Sequence, residues 1–113
     1  NHFFLETLKE FWGDALEINS GAELTWMRQP HYFMALYPYT YSAGLTIGTA
    51  VGQKIAAGDQ TTIDKWLEVL KAGGTMGPLA LAEHAGVSMA DAGALRSAIG
   101  YVNHLLDQIE ALA

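Results

Sequence analysis

The chemistry-bearing side chains of this chain are gathered between Trp26 and Tyr41. Four of the 5 tyrosines, Tyr32, Tyr37, Tyr39 and Tyr41, fall within ten positions, and Trp26, Arg28 and His31 precede or adjoin them. A packed interior favours Leu, Ile and Phe, because a buried phenol must find a hydrogen-bond partner for its O–H. Repeated tyrosine therefore points to a cavity wall that offers several neutral donors. A phenol stays protonated up to about pH 10, and its hydrogen bond strengthens as a carbonyl oxygen becomes an oxyanion. The same cluster also suits plain amphipathic packing, with hydroxyls in solvent or on backbone carbonyls. Composition leaves both readings open.

Other chemistries find little support. The 4 histidines, His2, His31, His84 and His104, are far apart, none has a second His three or four residues away, and no His-Glu-x-x-His occurs. Glu83 and His84 are the one acid–His neighbour pair. Adjacent helical residues point about 100° apart, so that pair cannot chelate as an i,i+4 pair does. The chain is therefore expected to hold no metal site of its own. It also lacks a phosphate-binding glycine loop followed by Lys-Ser/Thr and a Gly-x-Ser-x-Gly elbow. Twelve acidic against 6 basic residues give a net charge of −6, which argues against a nucleic-acid partner. The absence of Cys excludes disulfides and thiolate metal sites and fits a reducing compartment.

The elements that must position the tyrosines read as helices. At 113 residues, 50% apolar and 16% charged, the sequence suits a single helical domain, 1–113, with a thin core. It starts at Asn1 without a basic leader or an apolar signal core, and so reads as an excised or processed piece. The uncharged stretch from Gln29 to Gln53 is interrupted by Pro30, His31, Pro38 and several hydroxyl residues, so no membrane span is expected. Phe3, Phe4, Leu8, Phe11 and Trp12 predict a helix stopped by Gly13. Ser42 to Ala57 predicts a second helix, apolar yet rich in Gly and Ala, which another backbone packed close by would make tolerable. Thr61 with Asp64 reads as a capping box for a helix closed by Gly73-Gly74. A short helix follows Pro78 and stops at Gly86, and Ser88 with Asp91 reads as the capping box of a final helix carrying Leu95, Ile99, Val102, Leu106 and Ile109. No segment alternates with period two for long enough to make a strand, so the expected class is all-α, a helical bundle.

The stretch Trp26-Met27-Arg28-Gln29-Pro30-His31-Tyr32-Phe33-Met34-Ala35-Leu36-Tyr37-Pro38-Tyr39-Thr40-Tyr41-Ser42-Ala43-Gly44 resembles a segment near the C-terminus of oligoendopeptidase F, a zinc metallopeptidase family of the thimet oligopeptidase superfamily. Leu70-Lys71-Ala72-Gly73-Gly74, then Pro78, then Ala85-Gly86-Val87-x-Met89, match a second stretch of that family in the same order. The resemblance runs from about Phe4 to the end. It implies the C-terminal portion of a larger, mostly helical peptidase fold, whose His-Glu-x-x-His helix and zinc lie outside this chain. It further implies that His31 holds the substrate backbone and that Tyr41, last of the Tyr-x-Tyr-x-Tyr run, is the oxyanion donor. Tyr39 would contact the substrate, with Tyr37 a weaker match. Met34 stands where Tyr is common in the family, and Pro38 where a non-proline is common; lacking an N–H, Pro38 either begins the following helix or kinks it.

The expectation is thus a segment of a cytoplasmic zinc oligoendopeptidase acting on short peptides. Zinc would belong to the full-length enzyme, with none bound by this chain alone. The isolated chain would be inactive, would have the remainder of the peptidase as its natural partner and would self-associate through uncovered apolar surface. The alternative is an independent helical module that binds a peptide or protein partner in an aromatic groove.

Overall fold

Apolar residues at three- and four-residue spacing wind this chain into helices, and glycines end them. The structure, a computed structural model, describes residues 1–112. It contains α1 (His2–Trp12), 3-10 turns at Ala22–Arg28 and Pro30–Phe33, α2 (Tyr39–Ala56), α3 (Gln60–Ala72), α4 (Pro78–His84) and α5 (Gly93–Glu110). No strand occurs among the described residues, and the fold is all-α as its periodicity predicts. The chain divides into two compact units, residues 1–40 and the residues from Tyr41 onward.

In the first unit α1 half-buries Phe4, Leu5 and Leu8, while Phe3 and Phe11 remain exposed. Gly13 ends α1 at φ 52°, its N–H donating to the Lys9 carbonyl at 2.8 Å. The stop is a glycine because a Cβ is strained at that φ. Beyond it the unit is made of 3-10 turns, and none of its residues is fully buried.

The second unit closes around Val51, Ala85 and Val87, with Ile47, Ala50, Ile55, Trp66, Val69, Met89 and Ala94 packed against them. Two of its helix starts differ from the capping boxes that the sequence predicts. For α3 the N-cap is Asp59, whose carboxylate accepts the Thr62 hydroxyl at 2.8 Å and the Thr62 N–H at 3.2 Å. Asp64 instead accepts from the Gln60 side-chain amide at 2.9 Å. Asp91 accepts the Gly93 N–H at 2.6 Å, two residues on, so it forms a local turn and α5 opens later, behind Ala92. Gly86, at φ 80°, ends the α4 segment, and its carbonyl accepts from the Lys54 ammonium on α2 at 3.2 Å. The Glu68–His84 pair, 2.9 Å apart, ties α3 to α4 at the surface.

The core is built from small side chains, and no large side chain is fully buried among the described residues. Leu45 of α2 is 70% exposed and Ile109 of α5 is 63% exposed. Facing stretches of α2 and α5 frame an apolar groove of about 460 Å³, lined by Leu45, Thr49, Leu95, Ile99, Val102 and Leu105 among others. Gly44, Gly48 and Gly52, spaced four apart on one flank of α2, have no atom within 4 Å of where a Cβ would sit. The close backbone neighbour expected for that flank is therefore absent among the described residues. No helix among them is long and apolar enough to cross a membrane.

Candidate functional site

The aromatic segment is held in the first unit by ring contacts rather than by burial. The Trp26 indole N–H donates to the Asn1 side-chain oxygen at 3.3 Å, and its ring lies 6.0 Å from that of Phe33. Phe4 of α1 meets Tyr32 edge-on, with centroids 6.1 Å apart. These pairs fix the two 3-10 turns against α1 with geometries at which aromatic rings attract.

His31 sits in the turn that Pro30 opens, where a locked φ suits the first position. It is half-buried, and its imidazole stacks on the Tyr37 ring with centroids 5.6 Å apart and planes inclined by 30°. Between them the chain reverses through Ala35, the one non-glycine residue at positive φ among the described residues, at 51°. Successive i→i+3 bonds then follow: Tyr37 N–H to Met34 carbonyl at 3.1 Å, Tyr39 N–H to Leu36 carbonyl at 3.3 Å, and Thr40 N–H to Tyr37 carbonyl at 3.0 Å. The Thr40 hydroxyl also donates to the Tyr37 carbonyl, at 2.7 Å. Pro38 lies in this turn, directly before α2, so it neither starts nor kinks the helix.

Tyr39 opens α2 and Tyr41 follows two residues later. Two helical steps turn the side-chain direction by about 200°, so these two tyrosines leave the helix on nearly opposite sides. One bound oxygen cannot be gripped by both from a single face. Tyr39 is 64% exposed and Tyr41 58%, so neither is sealed in an interior. Of the residues singled out from the sequence, the structure brings His31 and Tyr37 together. That contact was not legible in the sequence, because the reversal that makes it rests on an alanine in a conformation alanine seldom adopts.

The residues present do not fit a zinc centre. No group of three His, Cys, Asp or Glu side chains converges among the described residues. Glu68 and His84 are an acid–His contact of two members only, short of the three or four ligands zinc takes.

Comparison with known proteins bears on what this segment serves. Oligopeptidase PepF of Bacillus subtilis is 29% identical over 104 residues, 92% of this chain and 16% of that protein. The plasmid-encoded oligoendopeptidase F of Lactococcus lactis subsp. cremoris is 29% identical over 112 residues, 99% of this chain and 19% of its own length. Nearly the whole chain is similar to curated oligoendopeptidase F proteins. Group B oligopeptidase PepB of Streptococcus agalactiae, at 28% identity over 99% of the chain, extends the likeness to another peptidase. No family model and no solved structure matches. The chain spans between 16% and 19% of the length of these oligoendopeptidase F relatives. Peptide hydrolysis is the activity its relatives are named for, and the independent interaction module is not favoured.

Proposed function

We propose that this chain is the C-terminal portion of a cytoplasmic zinc oligoendopeptidase that cleaves short peptides, and that it supplies the wall that binds substrate and stabilises the oxyanion. The observation that carries this reading is the match of nearly the whole chain, His31 to Tyr41 included, to peptidases. The open position of Tyr41 supports it, since a donor to substrate must be reachable. In this reading His31 hydrogen-bonds the peptide backbone, while the Tyr41 O–H donates to the scissile carbonyl oxygen and gains strength as charge develops there. Tyr39, leaving α2 on the other side, and Tyr37 contact the peptide away from that oxygen. Zinc belongs to residues outside this chain, and the chain alone is inactive. Its partner is the remainder of the peptidase, against which the apolar faces of α2 and α5 pack; without it the chain self-associates.

The test is Tyr41→Phe in the intact peptidase. Loss of one oxyanion donor lowers kcat by about 10²- to 10³-fold. Unchanged turnover on a short peptide removes Tyr41 from the mechanism.

A further inference from the structure

We infer that Tyr37 is a positioning residue: its ring holds the His31 imidazole in a fixed plane, and the left-handed backbone of Ala35 is what returns Tyr37 to that imidazole. The inference rests on the reading above, in which His31 binds the peptide backbone, and changes the part Tyr37 plays in it. An imidazole makes directed hydrogen bonds from two ring nitrogens, so its usefulness depends on the plane of the ring. A neighbour stacked 5.6 Å away at 30° restricts that plane. The phenol face is turned to His31.

The backbone is built to keep the ring there. Tyr37 is anchored on one side by its N–H on the Met34 carbonyl and on the other by its carbonyl, which accepts both the Thr40 N–H and the Thr40 hydroxyl. The Met34–Tyr37 turn carries φ 51° at Ala35, its second residue, a position that glycine or asparagine normally fills. A non-glycine residue kept there signals that the surrounding bonds over-determine the conformation. The strain lies in the one turn that separates the two stacked rings.

The inference is tested in the intact peptidase by steady-state kinetics together with the His31 ring-proton resonances, assigned by their loss in His31→Ala. Tyr37→Phe keeps the ring and is expected to keep the upfield ring-current shift of His31, with less damage to KM than Tyr37→Leu. Tyr37→Leu removes the aromatic face; the shift disappears and KM rises by about tenfold, as for a lost substrate hydrogen bond, with a smaller change in kcat. Ala35→Gly accepts the positive φ and behaves as wild type, whereas Ala35→Val, β-branched and excluded from that φ, reproduces Tyr37→Leu. Equal damage from Phe and Leu at position 37 overturns the inference, because the hydroxyl would then act directly. So does a His31 resonance that ignores Tyr37→Leu. A His31→Ala enzyme with unchanged KM instead sinks the functional reading, whatever the resonances show.

Discussion

The two units of this chain are stabilised by different means. From Tyr41 onward, regular helices, three of them followed by a glycine at positive φ and α3 capped by Asp59, close on buried small residues centred on Val51, Ala85 and Val87. In residues 1–40 nothing is fully buried, the backbone beyond α1 runs in 3-10 turns, and order comes from three ring pairs and one indole hydrogen bond. Helical packing of the first kind buries polar groups inside the backbone ladder and leaves little to react. The second kind leaves phenols and an imidazole accessible while still directing them. A binding wall needs the second; a scaffold is the first.

Substitutions that attack each unit by its own means should separate them. The largest effect is expected from Val51→Asp, which sets a carboxylate at a position only 3% exposed. It should cost more than about 3 kcal/mol and abolish cooperative melting of helicity, followed by circular dichroism. A mild loss would mean that the second unit has no core worth the name. Trp26→Leu removes the contact with Phe33 and the bond to Asn1. The expected cost is about 1 kcal/mol, seen as a shifted urea midpoint, because no buried cavity opens there.

The smallest effect concerns Asp59. Its carboxyl is held below the ordinary value of 3.8, first by the Thr62 hydroxyl and then by the Thr62 N–H. A depressed carboxyl contributes stability above the range in which it titrates when unfolded, and that contribution is lost as pH falls through the folded value. Asp59→Ala should therefore lower Tm by a few degrees near neutral pH, and the difference should narrow as pH falls through the folded value. A difference that persists in acid would show that the cap acts without its charge.

Helix class and helix ends were legible because glycine at positive φ is a local property of the residue, as Gly13, Gly58, Gly73 and Gly86 show. Starts were less legible. Asp59 and Thr62 form the cap two positions before the Thr61 and Asp64 on which the sequence motif falls, and several hydroxyl and acid residues there compete for the same N–H groups. α2 begins at Tyr39 rather than Ser42, directly after a proline whose fixed φ is compatible with either turn or helix. Motif resemblance picked out His31, Tyr37, Tyr39 and Tyr41. It carried no information on how they pair, since the His31–Tyr37 stack spans six residues and depends on Ala35.

The flank of Gly44, Gly48 and Gly52 leaves α2 weaker than its length warrants. A methyl fits at each position, and alanine there would favour the helix by up to about 1 kcal/mol apiece. Bareness at those three steps is thus a local handicap for which the other described residues give no return.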